Sequence, residues 1–359
     1  MTAKIIDLRS DTATKPTQAM RNEIATAEVG DDMMGEDPTV NRLEALICDQ
    51  LNKEAAVFAC SATQSNQMAL RSHCQPGDEL LINETGHIAN FEGGAPAVLS
   101  GITVRTLRRP DGKLDLELLE GKIRRDDQHL CRTRLVCLEN TTNMGGGHVY
   151  SLDQIARISE WARSNNLRMH LDGARMYNAC IAGGYSPANL AQYFDTISIC
   201  LSKGLGCPMG ALLVGDVDSI AKARRSRKIF GGALRQAGMM AAAGNYALDN
   251  HVERLADDHA NAKRFAESIA DIDGVTIDLR SVESNLVFFS LDKQIGTPSQ
   301  LCIALAEHGV KMLPAGPDSL RACTHLDVDR EDVETAATLI RDCCAAGLNS
   351  DATVAGSPY

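Results

Sequence analysis

No window of this 359-residue chain approaches the roughly eighteen uninterrupted apolar residues of a bilayer-spanning helix, so a membrane role is not expected. The opening MTAKIIDLRSDT lacks an apolar run followed by a small-residue cleavage site, which leaves a cytoplasmic location as the expectation. No Cys-x-x-Cys or Cys/His cluster has zinc spacing, and the adjacent Cys343 and Cys344 are a poor pair for one ion, so no metal is expected. Internal repeats and low-complexity tracts are absent. Positive charge is also in short supply: 36 Lys and Arg stand against 47 Asp and Glu, for a net charge of −11. Repulsion then opposes nucleic acid or an anionic membrane as partner, and a small molecule is favoured.

Cysteine, by contrast, is plentiful. Its twelve copies lie in apolar segments (Cys48, Cys60, Cys137, Cys200, Cys302) and read as small hydrophobes in a reducing compartment. Hydrophobic residues at 44% and charged residues at 23% are ordinary for a globular chain. The length exceeds one usual core, which predicts a large domain with a smaller one beside it.

Short apolar runs alternate with amphipathic stretches, the pattern of an α/β protein with a mainly parallel sheet covered by helices. The expected strands are 55–60, 79–83, 102–107, 134–140, 168–172, 196–202 and 211–215. Between two of them, SLDQIARISEWARSN has a capping box in Ser151 and Gln154 and places Ile155, Ile158 and Trp161 at helical spacing, a crossover helix. After about residue 250 the pattern changes: a charged helix from His251, NLVFFSL, a helix near 298–309, VKMLP, SLRACTHL and a last helix near 329–346. This predicts domains at 1–250 and 251–359, the second a smaller α+β unit with a loose tail at 350–359.

The sequence ICLSKGLGCPMGALLVG sets one lysine, Lys203, between an apolar strand and a chain of glycines. Thirty residues upstream, HLDGAR ends another strand with Asp172. Carboxyl ends of parallel strands are where open α/β sheets bind ligands. A partly desolvated lysine beside other cations loses its proton more easily, and a carboxylate keeps a pyridine nitrogen protonated, which is the pairing pyridoxal phosphate requires. Glycines 204, 206 and 210 let the backbone turn beside such a group. Ser61, Ala62 and Thr63 open a helix after the first strand and offer free N–H groups and a hydroxyl to a phosphate.

LRSDT (8–12), AEVGDDMMGEDPTVNRLE (27–44), TRLVCLEN (133–140), HLDGARMYNA (170–179), SICLSKGLGCPMG (198–210) and GGALRQAG (231–238) together resemble the low-specificity L-threonine and L-allo-threonine aldolases. That resemblance runs from about residue 5 to THLDV (324–328). It implies the aspartate-aminotransferase fold (pyridoxal-phosphate fold type I), Lys203 as the cofactor lysine and Asp172 as the pyridine partner. It further implies Ser10, Arg175 and Arg321 around the substrate carboxylate, His87 stacked on the cofactor ring, Phe91 in the substrate pocket, and His129 as a second pocket histidine. Either histidine, directly or through water, is a candidate base. Arg235 and Lys228 are implied to reach the cofactor phosphate from a neighbouring subunit, which requires a dimer at least and a homotetramer by family habit. Lys228 also closes a basic run with Arg224, Arg225 and Arg227 that by itself reads as a solvated helix face, and Met33 and Met34 read as loop packing.

Two departures from the family pattern stand out. Ser61-Ala62-Thr63 replaces Ser-Gly-Thr, so a methyl must fit where glycine is common, and Thr142 replaces a histidine in Glu139-Asn140-Thr141-Thr142-Asn143, followed by Gly145-Gly146-Gly147. The expected reaction is retro-aldol cleavage. Transamination or β-elimination on the same fold is the nearest rival, and a non-catalytic binding protein a distant one.

Overall fold

The computed structural model describes residues 4–348; the expected tail at 350–359 lies outside the described residues. A two-residue strand, β1 (Ile6–Asp7), precedes β2 (Ala55–Ala59), β3 (Asp78–Asn83), β4 (Thr103–Leu107), β5 (Arg132–Glu139), β6 (Arg168–Gly173), β7 (Thr196–Cys200) and β8 (Ala211–Gly215). The last seven form one sheet in the order β2-β8-β7-β6-β5-β3-β4. All neighbours are parallel except β8, which runs antiparallel to both β7 and β2. Helices cover both faces, so β3, β7 and β8 are buried along their whole length, and β8 reads as a continuous apolar run. At the edge, β4 is largely exposed and correspondingly polar.

The crossover helix between β5 and β6 is Leu152–Ser164, with the Ser151–Gln154 capping box in place. It buries Ile155, Ile158 and Ala162, while Trp161 is only half-buried at its margin. On the other face of the sheet, the helix Ala62–His73 packs across β6, β7 and β8.

The later residues build a second, antiparallel sheet in the order β12-β13-β10-β9, from β9 (Val275–Thr276), β10 (Leu286–Leu291), β12 (Leu313–Pro314) and β13 (Ser319–Cys323). The segment VKMLP divides: β11 (Val310–Lys311) pairs in parallel with β1, and β12 joins the antiparallel sheet. Ile6 and Leu8 consequently pack into the same core as Phe265, Phe289, Leu301 and Ile340. We propose the division near residue 250 on this segregation of the two main sheets, with the N-terminal strand docked on the smaller part. Among the described residues no helix is long and apolar enough to cross a membrane.

All twelve cysteines are free thiols, and only Cys48, Cys60 and Cys131 are even half-exposed. In the basic run on the helix Val217–Ile229, Arg224, Arg225 and Lys228 are exposed as expected, and Arg227 alone departs from a solvated face. Arg224 pairs with Glu44 and donates to the Ala56 carbonyl, and Arg227 is buried, donating to the Phe58 carbonyl at 2.8 Å and pairing with Asp32 at 2.8 Å. The helix lies along β2, so both guanidinium groups reach strand carbonyls and carboxylates distant in sequence, Arg224 at the solvent-exposed margin and Arg227 out of contact with water. Removing one partner of a buried pair strands the other, so Arg227→Ala is expected to lower unfolding stability by about 3–5 kcal/mol in a urea titration. A loss under about 1 kcal/mol, the value of an exposed pair, would contradict that role.

Candidate active site

Asp172 is the penultimate residue of β6 and pairs in register with Ser198 of β7; Lys203 follows three residues after β7 ends at Cys200. Both side chains therefore sit at the carboxyl edge of neighbouring parallel strands, Asp172 at 2% and Lys203 at 9% exposure. The lysine backbone is pinned by its carbonyl, which accepts from Thr14 Oγ1 at 2.9 Å and from the Gly206 amide at 2.8 Å. Gly206 makes that turn at φ 77°, and a Cβ there would lie 2.9 Å from Leu326.

Asp172 is held from two sides. Its Oδ1 accepts from the Ala174 amide at 3.1 Å and its Oδ2 from Asn66 Nδ2 at 3.0 Å. Asn66 Nδ2 also donates to Glu92 Oε1 at 2.9 Å, and Gln67 Nε2 donates to Glu92 Oε2 at 2.5 Å. Glu92 in turn bonds His87 Nδ1 at 3.0 Å, and the His87 and Phe91 rings lie 5.7 Å apart. Burial works against a charged His87, but the Glu92 hydrogen bond and the Asp172 carboxylate outweigh it and lift its pKa above the ordinary histidine value. Glu139, in register with Asp172, accepts from the His87 amide at 2.6 Å and the Asn143 amide at 2.5 Å; burial and then the charge of Asp172 push its pKa up. Ligand atoms of His87, Glu92 and Asp172 lie within 4.8 Å of one another. That spacing suits a cation as well as hydrogen bonds, and here N–H donors of Asn66 and Gln67 occupy the carboxylates.

Two buried guanidinium groups face the same edge. Arg175 grips Asp11 through Nε at 2.7 Å and Nη2 at 2.8 Å, while Arg321 Nη1 donates to Asn143 Oδ1 at 3.0 Å and Nη2 to the Arg9 carbonyl at 3.0 Å. Asn143 Oδ1 also accepts from Arg175 at 3.4 Å, so one amide bridges both arginines. Burial opposes ionisation of Asp11, but Arg175, backed by Lys203 and Arg321, holds its carboxyl well below the usual range. Ser10 is buried beside it and caps the turn Asp11–Ala13, accepting from the Thr12 amide at 3.2 Å. Arg321 comes from β13, so the second sheet contributes directly to this edge of the first.

The helix Ala62–His73 begins at the same edge, with Ser61 as its N-cap accepting from the Gln64 amide at 3.2 Å. Ala62 is the first helical residue and is not among the positive-φ positions, so its methyl group meets no backbone strain. Ser61 is exposed and Ala62 and Thr63 half-exposed, leaving the helix start open to an anion. The loop at Gly232 lies against it: Cys60 Sγ reaches the Gly232 carbonyl at 3.6 Å, and a Cβ on Gly232 would collide with the Gln64 side chain.

Three sequence-derived residues are not brought to this edge within the chain. His129 is 79% exposed, bonded to Asp127, and sits three residues before β5; Glu139 at the other end of that strand is the one beside Asp172. Seven steps at about 3.3 Å put the two ends about 23 Å apart. Arg235 is exposed and paired with Asp31 at 3.1 Å, and Lys228 is exposed in the last turn of its helix. Conversely, Asp11, Asn66, Glu92, Glu139, Asn143 and His170 belong to the site without having been singled out. Asn66 and Gln67 on the buried face of a helix, and His170 two residues before Asp172 on the same strand face, were the available signals.

The profile of the beta-eliminating lyase family matches residues 7–292. The chain is 41% identical to the low-specificity L-threonine aldolase of Escherichia coli K12 over 334 residues, which is 93% of this chain and 97% of that one. The chain belongs to the threonine aldolase family. Its fold also matches the structure of the Leishmania major threonine aldolase, with a TM-score of 0.82 at 22% identity over 94% of this chain and 99% of that one. A probable N-succinyldiaminopimelate aminotransferase of Thermus thermophilus matches with a TM-score of 0.69 at 19% identity, covering 95% of each chain, so the threonine aldolase fold here is the aminotransferase-like one. Within that family pattern, Thr142 closes a tight loop: its amide donates to the His148 carbonyl at 3.0 Å and its Oγ1 accepts from the His148 amide at 3.1 Å.

Beneath Asp172, His170 is fully buried, bonding Thr196 Oγ1 at 2.9 Å and Asn66 Oδ1 at 3.1 Å, and burial pulls its pKa down to about 3. A histidine neutral in the native state and ordinary when unfolded stabilises fully above about pH 6.5, and that stability is lost as pH falls from there towards 3. At pH 5 the loss is about 2 kcal/mol. Urea titrations at pH 7 and pH 5 are expected to show a smaller pH-dependent drop in His170→Gln than in the native chain by about that amount. Equal drops would contradict a neutral buried His170.

Proposed function

We propose that this chain is a pyridoxal-phosphate-dependent aldolase that cleaves L-threonine, L-allo-threonine and related β-hydroxy-α-amino acids to glycine and an aldehyde. The observation that carries the reading is the pairing of buried Asp172 and Lys203 on adjacent parallel strand ends, with the buried Arg175 and Arg321 guanidinium groups at the same edge. The residues fit the cofactor: an amine, a carboxylate held by two donors, an aromatic imidazole beside that carboxylate, and an open helix start that tolerates Ala62.

When bound, pyridoxal phosphate supplies an electron sink for negative charge developed at the amino-acid Cα. Lys203 would hold the cofactor through Nζ. Asp172 holds a proton at the ring nitrogen, and Asn66 and the Ala174 amide keep that carboxylate aimed. Ser61, Ala62 and Thr63 receive the phosphate. Arg175 and Arg321, with Ser10, bind the substrate carboxylate, which orients the Cα–Cβ bond for cleavage. His87, steadied by Glu92, would lie against the cofactor, with Phe91 beside it lining the pocket; the β-hydroxyl proton would pass, directly or through one water, to the neutral fraction of His87 or to His129.

The site is completed in a homotetramer, or at least a dimer. That assembly supplies His129, Arg235 and Lys228 from a neighbouring subunit, a reading supported by the distance of His129 from Asp172 along its own strand. Twelve free thiols support a reducing, cytoplasmic setting.

Aldehyde release is expected from L-threonine, L-allo-threonine or both, from neither D-enantiomer, and to vanish in Lys203→Ala. 2-Oxobutyrate and ammonia in place of glycine and aldehyde would replace this reading with β-elimination, the chemistry named by the wider family. Threo and erythro substrates share amine, carboxylate and Cα, so the same assay also reads the β-carbon preference.

A further inference from the structure

A row of buried hydrogen bonds runs from Asp172 away from the substrate edge, along the face of the sheet covered by the helix Ala62–His73. Asn66 has one acceptor oxygen and two N–H groups. Both N–H groups are committed to carboxylates, Asp172 at 3.0 Å and Glu92 at 2.9 Å, because a carboxylate only accepts. Asn66 Oδ1 therefore accepts from His170 Nε2 at 3.1 Å, which makes Nε2 the protonated ring nitrogen. The other nitrogen, Nδ1, must then accept, and the Thr196 hydroxyl donates to it at 2.9 Å. With its hydrogen so used, Thr196 Oγ1 accepts from His73 Nε2 at 2.8 Å. Every hydrogen in the row is assigned by its neighbour, and each points towards Asp172 and Glu92. The reverse direction would set the Asn66 oxygen against two carboxylates.

The chain geometry builds this row. Asn66 and His73 are seven residues apart on the helix Ala62–His73 and share a face; His170 and Asp172 alternate on one face of β6; Thr196 of β7 is the register partner of His170. Asn66, His170 and Thr196 are each at most 1% exposed, where unsatisfied polar groups are strongly unfavourable and an aliphatic set would fill the space. His73 alone is half-buried, and it lines a cleft of about 430 Å³ with Arg132, Arg168 and Lys222, at the amino-terminal ends of β5 and β6.

We propose that Asn66, His170, Thr196 and His73 are positioning residues that act as one polarised relay, fixing the Asp172 carboxylate from the opposite edge of the sheet. The inference rests on the cofactor reading of Asp172. Donors in a row polarise one another in a low-dielectric interior, so loss of a remote member weakens the last donor, Asn66. None of the four needs to touch substrate.

The test uses Thr196→Val, which removes only the hydroxyl, Thr196→Ser, which restores it, and His73→Phe, which removes the terminal donor far from the cofactor. In [15N]histidine-labelled protein without added cofactor, the His170 Nε2–H proton is expected as a slowly exchanging signal in the native and Thr196→Ser chains. In Thr196→Val and His73→Phe it is expected to shift and exchange about tenfold faster, the weight of one hydrogen bond. The same two variants are expected to bind pyridoxal phosphate about tenfold more weakly and to alter the pH dependence of the bound cofactor's absorption, with Thr196→Ser restoring both. An unchanged imidazole signal, or unchanged affinity and absorption, in folded Thr196→Val and His73→Phe overturns the relay. Failure of the native chain to bind the cofactor, with the imidazole signal responding as expected, instead sinks the cofactor reading and leaves the row of bonds standing.

Discussion

A carboxylate buried to 2% exposure at the end of a central strand is the constraint around which this molecule is arranged. An isolated charge in that position is strongly disfavoured, so Asp172 must be matched by donors and by opposite charge. The Ala174 amide and Asn66 supply the donors; Lys203 lies on the next strand end, and His87 shares Glu92 with the same asparagine. Burial and then the Asp172 charge drive Glu139 towards its protonated form, while the Glu92 hydrogen bond and the Asp172 charge outweigh burial and drive His87 towards its charged one. The edge of the sheet is thus a balanced set of charges, poised to exchange partners when a cofactor and an amino acid bring their own.

The second sheet matters for the same reason. A buried arginine such as Arg321 is tolerated only when its N–H groups are engaged. Its position on β13 brings it to Asn143 and the Arg9 carbonyl, while Arg175 is neutralised by Asp11. The N-terminal strand β1 docks beside β11, which carries Arg9, Ser10 and Asp11 into the site. Three distant stretches of chain therefore meet at one anion-binding corner, and the two main sheets cannot separate without dismantling it.

Much of the fold was legible in the sequence because helix-covered strands carry apolar runs, as β2, β3, β5 and β8 do, whereas the equally buried β6 and β7 alternate apolar with polar residues and the edge strand β4 is polar. The direction of β8 was not legible, since strand composition carries no record of whether its neighbour runs with it or against it. The short segment VKMLP serves two sheets, because each half finds its partner far away in sequence. Lys203 and Asp172 could be read from their place at strand ends. Arg227 could not: the same run of basic residues is solvated or buried according to which face meets β2 and Asp32. Asn66, Glu92 and Asn143 are ordinary polar residues until tertiary structure sets them between charges. The worry over Ala62 dissolves once the residue is seen to be right-handed helix.

The central claim is that Lys203 is the amine that carries the cofactor opposite Asp172. The most direct measurement is to saturate the protein with pyridoxal phosphate, reduce it with borohydride and locate the pyridoxyl group by peptide mass. The account predicts one modified residue, Lys203, in each chain. Modification of another lysine, or none in folded protein, would contradict it.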